Sequence, residues 1–136
     1  MRLQLLRDDR GSASVWLIGL SVALAIAIGG AVDGSRKAQA HSRATAIAEE
    51  AARAGGQALR AQALAAGRDA TVNPEMAATE ARNYLAGAGA TGVVSVQGNR
   101  IVVDTTITER TVFLSMIGIA EHTVHGYGTA DLISAG

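Results

Sequence analysis

Ala13-Ser-Val-Trp-Leu-Ile-Gly-Leu-Ser-Val-Ala-Leu-Ala-Ile-Ala-Ile-Gly-Gly-Ala-Val32 is an apolar run of twenty residues without a charge, bounded by Arg10-Gly11 on one side and Asp33 on the other. At about 1.5 Å per residue such a run makes a helix roughly 30 Å long, the thickness of a bilayer's hydrocarbon core. Four readings are open for residues 1–32. They are a core helix of a soluble domain, a cleaved secretory signal, an uncleaved anchor, and a prepilin-type leader cut just before the helix. The run is long for a core helix in a chain of 136 residues, and longer than the usual apolar region of a signal. Ala23-Leu-Ala25 and Ala25-Ile-Ala27 nevertheless offer small-x-small pairs for a signal peptidase. Charge does not orient the segment, because Arg2, Arg7 and Arg10 before it balance Arg36, Lys37 and Arg43 after it.

Inside the run, Gly19, Ala23, Ala27 and Ala31 recur every four residues. Small residues at that spacing let a second helix approach closely in lipid, where packing drives association. An alanine-rich chain also produces such spacing by chance. Trp16, near one end, suits an interfacial anchor.

From Asp33 to about Ala66 the pattern predicts a helix that continues out of the bilayer, without proline and rich in the best helix former. Ala40, Ala44, Ile47, Ala51, Ala54, Ala58, Ala61 and Ala65 form a heptad seam. Arg36, Arg43, Glu50 and Gln57 repeat every seven residues on the polar side, and Glu49 precedes Arg53 by four. A second apolar face runs through Ala48, Ala52, Leu59, Ala63 and Ala66. One face is expected to dock on the chain's own globular part, and the seam to meet neighbouring subunits. Gly55-Gly56 is the expected kink.

Gly67 to Val72 reads as a linker. Asn73-Pro74-Glu75 is a helix start, with a capping side chain, proline at the first helical position and an acid in the first turn. That helix should end at Gly87. Gly92–Gln97 and Arg100–Thr108, joined by Gly98-Asn99, predict a β-hairpin in which Ile101, Val103, Thr105 and Ile107 share a face. Thr111–Gly118 reads as a helical turn at the sheet end, and a third strand is expected from about His122 to Ile133. The fold class is therefore α+β: a long N-terminal transmembrane and amphipathic helix, plus a short helix packed on a small three-stranded antiparallel sheet.

Composition bounds the chemistry. Formal net charge is zero, so no global field favours nucleic acid, and the absence of cysteine excludes disulfides and thiolate chemistry. The chain holds 28 alanines and 16 glycines against four aromatic residues, Trp16, Tyr84, Phe113 and Tyr127, which leaves little bulk to line a ligand pocket. Gly87-Ala-Gly89-Ala-Thr-Gly92 fits G-x-G-x-x-G, but it follows a helix and precedes a strand, the reverse of the phosphate-binding order. His122 and His125, three apart on a strand, point to opposite faces and make poor joint metal ligands. Asp104, Glu121 and Asp131 read as solvated acids with no acid/base pairing. No catalytic residue, cofactor or metal site is expected, and the chain reads as a non-enzyme.

Arg10-Gly11-Ser-Ala-Ser-Val, Ala31-Val-Asp-Gly-Ser-Arg-Lys37 and Ala48-Glu-Glu-Ala-Ala-Arg-Ala-Gly55 resemble TadE/TadG-type proteins of Flp (tight adherence) pilus systems, within the wider type IV pilin architecture. The resemblance covers about residues 9–60, while the sheet part is similar only in kind. It implies a membrane peptidase that cuts after Gly11 and leaves Ser12 as the new N-terminus. It further implies a cytoplasmic leader over 1–12, a transmembrane helix over 13–32, an extension over 33–67 and an extracytoplasmic α+β domain over 68–136. The glutamate usual at the fifth mature position of pilins falls at Trp16, which cannot pair with a neighbour's N-terminus. That departure implies a minor pseudopilin or an unprocessed assembly component. The function expected is a membrane-anchored structural part of a Flp/Tad-type pilus or related secretion apparatus. Its expected partners are membrane lipid, other pilin or Tad assembly subunits, a second copy of itself, and prepilin peptidase. The alternatives are a filament-forming pilin subunit and an exported soluble binding module released by signal peptidase.

Overall fold

The computed structural model describes residues 9–67 and 73–132. In chain order the elements are α1 (Asp9–Ala66), α2 (Pro74–Gly87), β1 (Thr91–Gln97), β2 (Arg100–Arg110), a 3-10 turn (Leu114–Ile117) and β3 (Glu121–Asp131). This is the α+β arrangement the sequence predicts: a long apolar helix, a short helix and a three-stranded antiparallel sheet in the order β1-β2-β3. Residues 68–72 of the expected linker, Ile133 of the expected third strand and residues 1–8 of the leader lie outside the described residues.

Helix α2 starts where its local chemistry dictates. The Asn73 side chain accepts from the Glu75 N–H at 3.0 Å, and Pro74 occupies the first turn, where a missing N–H costs nothing. Gly98, at φ 60°, and Asn99 turn β1 back on β2, and the register runs from Gln97↔Arg100 to Thr91↔Thr106. β3 pairs along β2 from Arg110↔Glu121 to Arg100↔Asp131.

Both helices lie on one face of the sheet. α1 crosses β3 and β2, while α2 covers β1. Between the layers sit Leu59, Ile101 and Val103, fully buried, with Leu85, Val94, Leu132 and the alanines Ala48, Ala51, Ala52, Ala77, Ala78 and Ala81. Each of the three large side chains contributes about 1.5–3 kcal/mol by leaving water. A smaller cluster of Ala40, Ala44 and Val124, with Ile107 beside it, extends the interface toward the membrane-length run.

Small residues let the layers approach to backbone contact. An ideal Cβ on Gly126 would lie 2.1 Å from the carbonyl carbon of Ala44, and one on Gly128 would lie 2.3 Å from that of Ala48. Four helical residues advance about 6 Å and two strand residues about 6.7 Å. Alanines four apart on α1 therefore march in step with residues two apart on β3, and the two elements run parallel.

Gly55-Gly56 does not interrupt the helix, since α1 continues through both residues. Gly55 serves a close approach instead. A Cβ there would stand 2.6 Å from the carbonyl oxygen of Ala77 on α2 and 2.7 Å from Ile101 Cδ1. The expected Glu49–Arg53 pair is also replaced: Arg53 Nη1 bonds Glu50 Oε1 at 2.8 Å, three residues away.

Candidate functional site

Among the described residues no group of three or more His, Asp and Glu side chains is gathered as a metal site would need, and the candidate site is the surface of α1. From Gly11 to Val32 the helix stands clear of the head except at Gly29. Val15, Trp16, Leu17, Ile18, Leu20, Val22, Leu24, Ile26 and Ile28 are all exposed, Trp16 at 77%. The run is therefore not a core helix of this domain, which removes one of the four readings. It is the one helix among the described residues long and apolar enough to cross a membrane. Ser21 Oγ donates back to the Leu17 carbonyl at 2.8 Å, so its hydroxyl is satisfied within the helix, as hydrocarbon requires.

Gly11 and Ser12 are helical and exposed near the start of α1. Gly19, Ala23, Ala27 and Ala31 are exposed as well, and Gly19 and Ala23 line a shallow apolar groove with Val15, Trp16 and Leu20. The structure thus puts Trp16 on the same helix face as the first half of the small-residue stripe.

The heptad seam divides. Ala40, Ala44 and Ala51 are buried against the chain's own sheet and α2, Ile47 packs at the edge of that core, and Ala54 and Ala58 are half-buried. Ala61 and Ala65 are exposed. The seam's first half and the face through Ala48, Ala52 and Leu59 are one docking surface, because the sheet is broad enough to cover both. Only the far end is left open to neighbours.

At the junction of the two regimes stands Asp33, 4% exposed. Its carboxylate accepts three backbone N–H bonds from the β2–β3 connection. Val112 N reaches Oδ1 at 3.1 Å, while Phe113 N at 3.1 Å and Leu114 N at 2.8 Å reach Oδ2. These bonds, Leu114's first, hold its pKa below the ordinary carboxylate value; desolvation opposes them and Arg36 assists. Four residues earlier, the Phe113 ring lies so close to Gly29 that a Cβ there would be 2.8 Å from its Cγ. Sequence reading passed over Asp33 as the mere end of the run. Its partners stand 79 to 81 residues away, so no local pattern flags them.

The remaining motifs resolve into structure. Gly87 closes α2, Gly89 takes a left-handed φ of 68°, and a Cβ on Gly92 would strike the Asp104 carbonyl oxygen at 2.4 Å. The G-x-G-x-x-G spacing is thus a helix-to-strand turn. His122 is half-buried and faces the helix layer, while His125, on the opposite face, lies 3.3 Å from Thr106 Oγ1. Asp131 pairs with Arg100 at 3.2 Å, and Glu121 stands 4.0 Å from Arg110, both pairs exposed.

A membrane-length helix left bare by its own fold and continuing into a small α+β head is the geometry of a chain with a candidate membrane span near its N-terminus. Residues 11–58 match the family model described as "Putative Flp pilus-assembly TadE/G-like". The match ends within α1 and takes in none of the sheet. A role in Flp pilus assembly is what that family carries. No curated protein and no solved structure matches the chain.

Proposed function

We propose that this protein is a membrane-anchored structural component, of minor pilin or pseudopilin type, in a Flp/Tad pilus or related secretion apparatus. It works by packing rather than by catalysis. The observation that carries the reading is the bare apolar run Ala13–Val32 inside the family-matched segment 11–58. A surface of that kind is stable only when lipid or other helices cover it. The head lies outside the cell and the N-terminus inside, an orientation taken from the pilin resemblance. Within the membrane, Gly19, Ala23, Ala27 and Ala31 form the contact stripe for a neighbouring helix. Outside it, the open end of the seam at Ala61 and Ala65 meets a partner subunit. Trp16 at the position of the usual pilin glutamate favours a sparse or static component over a filament-forming one.

The test combines intact mass with photocrosslinking in native membranes. Crosslinkers at Ala23 and Ala61 should capture other pilin or Tad assembly subunits, and one at Asp104, on the open sheet face, should not. A start at Ser12 establishes prepilin-type processing, and a start at Met1 a static anchor. Release of the whole pool as a water-soluble fragment starting after Ala27 or Ala31 would overturn the anchored reading in favour of an exported module.

A further inference from the structure

The β2–β3 connection, Val112-Phe-Leu-Ser-Met-Ile-Gly-Ile119, carries no charge and only one polar side chain. A connection on a small head ordinarily turns polar groups to water. This one leaves Met116 83% and Ile117 73% exposed, with Val112, Phe113 and Ile119 also open. Its backbone is the reverse, closed upon itself. Thr111 N–H donates to the Ala120 carbonyl at 3.0 Å, Met116 N–H to Phe113 at 3.1 Å, Gly118 N–H to Ser115 at 3.2 Å and Ile119 N–H to Leu114 at 3.0 Å. The one polar side chain, Ser115, donates its hydroxyl to the Val112 carbonyl at 2.7 Å. The N–H groups of Val112, Phe113 and Leu114 would otherwise be orphans, and the Asp33 carboxylate takes all three. Exposed apolar side chains over a satisfied backbone are useless in water but required in hydrocarbon, where no solvent can pair a free N–H.

The location agrees. Phe113 sits on Gly29, and Phe113, Met116 and Ile117 form one wall of an apolar groove of about 430 Å³ whose other wall includes Val22 and Ile26. Along α1, Val22 lies about 15 Å before Val32, so the connection stands beside the head-side half of the apolar run, not above its end. Arg36, Lys37 and Arg110 follow just on the head side, at the level of lipid phosphates.

We propose that Val112–Ile119 is a second membrane-contacting element, a wedge inserted beside α1 in the leaflet nearest the head, with lipid acyl chains filling the groove. Lipid is the occupant because the groove is continuous with the lipid-facing surface of the run. The wall that the connection supplies is made of large, flexible side chains, Met116 foremost, which conform to acyl chains, while α1 contributes Ala25, Gly29 and Gly30 beside Val22 and Ile26. The inference rests on α1 spanning the bilayer.

The chain has no cysteine, so single-cysteine variants of the full-length protein report one site each. Ile117→Cys probes the wedge, Val22→Cys the helix and Gln97→Cys the distal β1–β2 turn. Each is labelled with an environment-sensitive fluorophore in vesicles of phosphatidylcholine and phosphatidylglycerol. The labels at 117 and 22 should be quenched by doxyl-labelled lipid and should be at least fivefold less sensitive to aqueous iodide than the label at 97. If 117 is as open to iodide as 97 while 22 stays lipid-quenched, the wedge is wrong and the spanning helix stands. If 22 is open as well, the spanning reading falls and takes the wedge with it. Shielding of 117 from both quenchers would mean that a protein surface, such as a second copy, covers the groove, which also overturns the proposal.

Discussion

Replacing Gly126 by alanine adds one methyl group where the fold has no room for it. The new Cβ would lie 2.1 Å from the carbonyl carbon of Ala44 and 2.3 Å from both its oxygen and the Thr45 nitrogen. Ordinary carbon contacts need about 3.5–4.0 Å, so α1 must lift by roughly 1.5 Å. Overpacked cores typically lose about 1–3 kcal/mol when side chains can rotate aside. Here the obstacle is helix backbone and the strand is held by its ladder, so the loss should be about 3 kcal/mol or more. Gly128→Ala, at 2.3 Å from Ala48, should behave alike. The same chemical change at Gly56 has the opposite sign. Its nearest neighbours are the Asp131 carbonyl oxygen at 3.6 Å and Ala130 Cβ at 3.9 Å, both ordinary contacts. There alanine gains about 0.5–1 kcal/mol of helix propensity. Urea titration of the full chain in micelles, followed by far-UV circular dichroism, measures all three. Trp16 fluorescence will not serve, because that residue stands on the bare part of α1. Parent-like midpoints for Gly126→Ala and Gly128→Ala would refute backbone contact between α1 and β3.

The lowered pKa of Asp33 means that its carboxylate contributes stability above the unfolded value of about 3.9 and loses it as pH falls through the lower folded value. Between pH 7 and 2.5 the parent should therefore lose stability more steeply than Asp33→Asn, and parallel curves would exclude the clasp formed by Asp33 and the N–H groups of Val112, Phe113 and Leu114. Ala51→Glu, at a fully buried site, should cost about 4 kcal/mol or more, whereas Ala61→Glu, exposed, should stay within about 0.5 kcal/mol. Loss of partner co-purification is thus interpretable only for Ala61→Glu. Thr105 is fully buried with no partner for its hydroxyl among the described residues, and Thr105→Val should raise the unfolding free energy by about 1 kcal/mol. Because Gly29 and Phe113 touch, the double variant Gly29→Cys/Phe113→Cys should form a disulfide under mild oxidation, detectable as an electrophoretic shift.

What the sequence discloses here is what short-range physics controls. The apolar run, the Asn73-Pro74 start and the Gly98-Asn99 turn each depend on residues within a few positions of one another, and each is legible. The face of α1 that docks is not, because alanine at Ala44 and alanine at Ala58 look identical until a sheet covers one of them. Gly55-Gly56 misleads for a related reason. Propensity reads glycine as a weak point, but the Ala77 carbonyl needs the missing side chain, and that contact outweighs the entropy cost. Nothing local marks Gly126 and Gly128, yet they are where a helix some eighty residues earlier rests. Asp33 is the extreme case. The groups it satisfies exist only once the β2–β3 connection has folded against α1.

That connection changes what the long helix transmits. A head on a flexible linker would turn independently of its anchor, and Gly30 and Gly34 are residue types that permit such freedom. The helix instead runs unbroken from Asp9 to Ala66, and the head grips it at two levels, at Ala40–Leu59 through the sheet and at Gly29–Asp33 through the clasp. Two grips on one continuous helix fix rotation about the axis as well as tilt. Each residue of α1 turns about 100°, so the direction in which Gly19 and Ala23 face is fixed relative to the two sides of the sheet. On the proposed packing role, helix contacts made in lipid would thereby orient the head, and contacts made by the head would constrain the helix in return.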